Sequence, residues 1–99
     1  MEMKVIRKRP GCKPELADLE NRLEALQEAV VGHIETLGFT TDTCLICNAE
    51  GRLLGLAPNY FLGSFFAGTV LLVGVDGDEF CDLPDAEKAL HFFGGRYDS

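Results

Sequence analysis

Cys44-Leu45-Ile46-Cys47 places two thiols at a spacing that can do chemistry. A C-x-x-C pair holds zinc, or cycles between dithiol and disulfide, when a tight turn or a helix start brings both sulfurs together. Leu and Ile between them favour a strand instead, and strand positions three apart point to opposite faces. Cys12 and Cys81 could complete a zinc set, but neither sits in a C-x-x-C of its own. Cys44, Cys47 and Cys81 sit in apolar runs, where cysteine behaves as a small hydrophobe. His33 and His91 are far apart, and neither forms a Ser-His-Asp or Cys-His spacing. No catalytic residue, no metal ligand and no cofactor is expected, and the protein is expected not to be an enzyme.

Two other groups could bind without reacting. Glu50, Arg52 and Asn59 cluster around an expected hairpin loop, Asn48–Gly51, and could form a polar surface on one sheet edge. Asn48 and Gly51 also suit turns, and Asn59 after Pro58 suits a turn or cap. Tyr60-Phe61-Leu62-Gly63-Ser64-Phe65-Phe66 is unusually aromatic for a loop. Part of it must fill the core, and the rest could expose the kind of apolar patch that marks an interface. Tyr60, Phe61, Phe65 and Phe66 therefore join Glu50, Arg52 and Asn59 as candidate partner-binding residues. Asp76-Gly77-Asp78-Glu79 is acidic but too short and irregular for a calcium loop, and reads as a solvated hairpin turn.

These residues need elements to hold them. Met3–Lys8 reads as a first strand, stopped by Pro10-Gly11. Leu16, Leu19, Leu23, Leu26 and Val30 recur at helical spacing and allow one helix from Pro14 to Val31. Asn21-Arg22-Leu23-Glu24 instead resembles a capping box, which favours an extended segment over Glu15–Leu19 and a helix over Arg22–Val31, ended by Gly32 as a left-handed residue. Further strands are expected at His33–Phe39, Thr43–Cys47, Arg52–Leu56, Gly68–Val75 and Glu79–Asp82, with a turn or short helix over Ala57–Gly63. Gly68–Val75 is apolar on both faces and so central. A last helix runs from Ala86 to Phe93. The class is α+β: a mainly antiparallel β-sheet with two helices packed on one face. Residues 1–99 form one domain, with 1–2 and 96–99 loose.

Composition narrows the function classes. The chain has 99 residues, 46% of them hydrophobic, enough for a core without metal or disulfide staples. No apolar run reaches the ~20 residues of a membrane helix. The basic start is followed by Pro10-Gly11-Cys12-Lys13 rather than an apolar signal segment, so the expected location is the cytoplasm and the thiols are expected free. Net charge is −7, and five of the nine basic residues fall within the first 13. A surface of this sign repels phosphate and disfavours direct contact with nucleic acid.

Three segments resemble one family. They are Leu26-Gln27-Glu28-Ala29-Val30-Val31-Gly32-His33-Ile34-Glu35, the block from Ile46-Cys47-Asn48-Ala49-Glu50-Gly51-Arg52-Leu53-Leu54 to Gly55-Leu56-Ala57-Pro58-Asn59, and Gly68-Thr69 followed by an apolar strand and Phe80-Cys81-Asp82-Leu83. The chain resembles the bacterial and phage domain of unknown function 3846 over nearly its whole length. The resemblance implies carriage by bacteria, phages or mobile elements, and it assigns no reaction. The expected function is a small interaction module that binds a protein partner or itself, as a homodimer. The alternative is a module that binds a nucleotide-like small molecule, and a thiol or zinc protein ranks behind both.

Overall fold

A computed structural model describes residues 2–94. Its elements are β1 (Glu2–Lys8), β2 (Glu15–Glu20), α1 (Leu23–Val30), β3 (Ile34–Thr40), β4 (Thr43–Asn48), β5 (Pro58–Phe61), β6 (Ser64–Ala67), β7 (Val70–Asp76), β8 (Glu79–Cys81) and α2 (Ala86–Gly94). The main sheet runs β2-β1-β7-β4-β3, with β8 also on β7, and β5-β6 is a separate hairpin. Every pairing is antiparallel. Of the termini expected to be loose, Met1 and 96–99 lie outside the described residues. Glu2 is not loose, because it opens β1 opposite Glu20.

The α+β class holds, but the helices lie on opposite faces rather than together on one. Adjacent β7 residues are buried alternately in two cores. Val70 and Leu72 pack with Ile6, Leu45, Cys47, Phe61, Phe66 and, from α2, Ala86. Leu71 and Val73 pack with Met3, Val5, Cys44, Ile46 and, from α1, Leu26 and Val30. A central strand apolar on both faces needs cover on both. One helix supplies it on one side, and the other helix with the β5-β6 hairpin supplies it on the other.

Three local expectations are corrected. Asn21 does not cap α1. Arg22 holds the extended cap position with no side-chain bond, while Asn21 Nδ2 donates to the Phe80 carbonyl at 2.7 Å. The left-handed residue that ends α1 is Val31 (φ 65°), not Gly32 (φ 152°). Val31 N–H bonds Glu28 O and Gly32 N–H bonds Gln27 O, which is a Schellman ending with valine in the strained seat. The glycine answers a different need, since a Cβ on Gly32 would lie 2.8 Å from Asn48 Nδ2.

Arg52–Leu56 is not a strand. Both edges of β4 are taken, by β3 and β7, so no returning strand can pair there. The segment coils instead, with Leu54 N–H on Glu50 O and Leu56 N–H on Gly51 O, both at 2.9 Å. The aromatic stretch expected as a turn or short helix forms the β5-β6 hairpin. Leu62 and Gly63, at φ 50° and 80°, supply the two positive values that a tight two-residue loop requires.

Candidate functional site

The β3-β4 hairpin, the coil after β4 and strand β6 enclose a cleft of about 240 Å³. Glu35 and Leu37 line it from β3, Cys47 from β4, Glu50, Arg52 and Leu53 from the coil, and Phe65 and Phe66 from β6. Register explains the first three. Glu35 pairs with Cys47 and Leu37 with Leu45, so β3 turns these two side chains to the same sheet face as α2 and the β5-β6 hairpin.

Asn48 sets the angle at which the coil leaves the sheet. Its Nδ2 donates to Val30 O (3.0 Å) and Val31 O (3.1 Å), and its Oδ1 accepts from Glu50 N–H (2.7 Å). The end of α1 and the start of the coil are therefore fixed by one buried side chain. Gly51 then lets the coil seat on β6, because a Cβ there would overlap the Ala67 carbonyl oxygen.

The cleft carries charge of both signs. The Arg52 guanidinium lies 5.5 Å from the Phe65 ring centroid, and Tyr60 meets Phe65 edge-on at 4.9 Å. Among the described residues neither Glu50 nor Arg52 makes an ion pair. Glu35 Oε2 has the Cys47 thiol 3.9 Å away. Burial pushes the Cys47 thiol up from its ordinary value, and the Glu35 charge and hydrogen bond push the same way. This thiol therefore stays protonated at neutral pH and is not a ready nucleophile.

The expected candidate residues divide into two sets. Glu50, Arg52, Phe65 and Phe66 meet in the cleft, and Tyr60 stands at its rim, 66% exposed. Asn59 and Phe61 are interior, and their place as surface contacts is corrected. Phe61 is fully buried. Asn59 is 2% exposed and accepts from Lys8 Nζ (2.9 Å) while donating to Lys8 O (2.8 Å) and Gly68 O (2.9 Å). It holds β5 against β1 and joins a buried lysine that desolvation pushes below its ordinary value. Sequence reading missed Glu35, Leu37 and Leu53. Only the β3-β4 register places the first two in the cleft, and Leu53 was placed on a strand that does not exist.

The other candidates stay apart. Cys44 and Cys47 lie on β4 in opposite cores, as strand spacing requires, and burial raises the Cys44 thiol as well. His33 and His91 are exposed on separate segments. No group of three or more His, Cys, Asp or Glu side chains is placed to hold a metal ion among the described residues. No helix among them is long and apolar enough to cross a membrane. Arg7 and Arg9 both bond the Glu15 carboxylate, at 3.0 and 3.1 Å, so part of the basic N-terminal strand is neutralised locally.

No curated protein and no solved structure matches the chain. The model of one family, described as Domain of unknown function (DUF3846), matches residues 3–94 and so spans both cores, the cleft and both helices. The chain belongs to that family.

Proposed function

We propose that the chain is a non-enzymatic protein-interaction module of a bacterium, phage or mobile element, acting in the cytoplasm and taking its partner along β3 and the adjoining cleft. The observation that carries this reading is the state of β3. It ends the sheet order, six of its seven residues are exposed, and its Leu37 opens onto the cleft beside Leu53 and Phe65. Leu53 is 86% exposed, and Tyr60 extends the same surface through Phe65. Isolated exposed apolar side chains are ordinary, but a contiguous set beside an unpaired strand edge marks an association surface.

The nucleotide-like alternative loses support in the cleft itself. Glu35 and Glu50 both line the volume a phosphate would enter, against one cation, Arg52.

A photo-crosslinking amino acid placed at Leu53, in cells that make the protein, tests the reading. The same group at Leu23, exposed on α1 across the sheet, is the control. Protein adducts are expected at Leu53 and not at Leu23. Equal yields at both positions would remove the β3 surface from the proposal.

A further inference from the structure

The two edges of the sheet are not equivalent. β2, at one end, carries Glu15, Asp18 and Glu20 within six residues and touches both helices. Acidic side chains and flanking helices are ordinary ways of closing an edge to foreign strands. β3, at the other end, has one charged residue in seven, and six of the seven are exposed. Its pairing with β4 is regular from Ile34 to Gly38, and a bulge follows before Thr40. The usable edge is therefore five residues long.

We infer that this edge receives an extended basic segment of another protein, which adds as a further strand along Ile34–Gly38 with a lysine or arginine seated at the cleft between Glu35 and Glu50. The inference rests on the interaction reading above and names the chemistry of the partner. Side chains directly opposite each other on neighbouring antiparallel strands lie about 5 Å apart, and residues two apart share a face. A partner residue opposite Glu35 and the one two positions away, opposite Leu37, both turn toward the cleft. The first meets the Glu35 carboxylate, which has the Cys47 thiol 3.9 Å away, with the Glu50 carboxylate, in no ion pair among the described residues, in the same cleft. The second meets Leu37 and Leu53. A cation and an apolar residue two positions apart satisfy both. Arg52 stacks over Phe65 and pairs with neither glutamate, so the two carboxylates are open to a cation from outside.

A second copy of this chain is a poorer occupant. It brings seven more net negative charges, and its own β3 offers Thr, Leu, Gly, Phe and another Glu but no cation to place against Glu35. The net charge that opposes self-pairing attracts a basic segment and speeds its arrival.

The test uses two fluorescein-labelled decapeptides, one alternating lysine and valine with threonine, the other with glutamate in place of each lysine. Anisotropy with the full chain should show binding of the lysine peptide and binding of the glutamate twin weaker by about tenfold or more. Amide chemical-shift changes should centre on Ile34–Gly38. Glu35→Lys should weaken the lysine peptide and reverse the preference, and Glu35→Gln should lie between, with far-UV circular dichroism confirming the fold of each. Equal binding of the twins, or lysine-peptide binding indifferent to both Glu35→Lys and Glu50→Lys, would overturn the inference. So would light scattering that shows a dimer abolished by Glu35→Lys, which would assign the edge to a second copy. Failure of both peptides while Leu53 still forms adducts would reject the basic segment and leave the interaction reading standing. Failure of both peptides and of the crosslink together would reject both.

Discussion

Asn48 and Asn59 each make three hydrogen bonds, and in each case two of the three reach main chain or lysine far away in sequence. Their turn-forming character is readable from the chain alone. Their partners are not, because Val30 lies 18 residues from Asn48 and Lys8 lies 51 from Asn59. That gap is why Asn59 looks like a surface residue in the sequence and proves to be an interior tie. Asn59→Ala takes one acceptor from the Lys8 ammonium, itself on a residue 5% exposed and still bonded to the Arg9 carbonyl, and takes the side-chain donor from the Lys8 and Gly68 carbonyls. Stability should fall by about 3 kcal/mol, read from urea unfolding, since each buried unsatisfied group costs roughly 1–3 kcal/mol. The opposite sign is expected at Val31. A β-branched residue at φ 65° is strained, and its side chain is 66% exposed, so little packing is lost on replacement. Val31→Asn should stabilise by about 1 kcal/mol in the same assay.

At the level of elements, the strands of the main sheet were legible, whereas their pairing and the β5-β6 hairpin were not. β-Branched residues locate β1, apolar composition locates β4 and β7, and the two-sided apolar run of β7 marks it as central. Nothing in Arg52–Leu56 reveals that β4 already has two neighbours, so the segment reads as a returning strand until the topology excludes it. The same consideration splits the helices. The alternation that puts Leu72 in one core and Leu71 in the other demands a cover on each face. The coil that replaces the expected strand forms one wall of the cleft, and its seat on β6 depends on Gly51. Gly51→Ala drives a methyl group into the Ala67 carbonyl and to 3.0 Å from the Ala67 Cβ, and both are main-chain-anchored atoms that cannot swing aside. The coil must lift from β6. Thermal and urea unfolding should show a loss of about 1–3 kcal/mol, the usual range for overpacking. A variant with unchanged stability would mean that the coil is not held against the hairpin.

For the molecule as a whole, the buried titratable groups decide how stability follows pH. Burial raises the thiols of Cys44 and Cys47, with Glu35 adding to the latter. Cys81 is raised by desolvation first and then by Asp76, Asp82 and Asp42, and its partial exposure leaves it the smallest contributor. A thiol with a raised folded-state value holds its proton when the unfolded chain has released it. Its contribution to stability is complete below the ordinary thiol value of about 8.5 and is lost as pH climbs through the folded value. Lys8 works the other way. Desolvation, partly offset by the Cys12 charge, lowers its value, so folding disfavours the ammonium. That cost is present below the folded value and is relieved as pH approaches the ordinary lysine value of about 10.4. Two well-buried thiols and a partly exposed third oppose one lysine, so the thiols are expected to set the sign. The urea midpoint should be flat from pH 7 to about 8.5 and then decline. Cys44→Ala with Cys47→Ala should flatten that decline relative to its own lower plateau, whereas Lys8→Met should steepen it by removing the only opposing group among those named. A midpoint that rises between pH 8.5 and 10 in the unmodified chain would show that the lysine dominates, and would make the Lys8–Asn59 pair the chief electrostatic cost of folding.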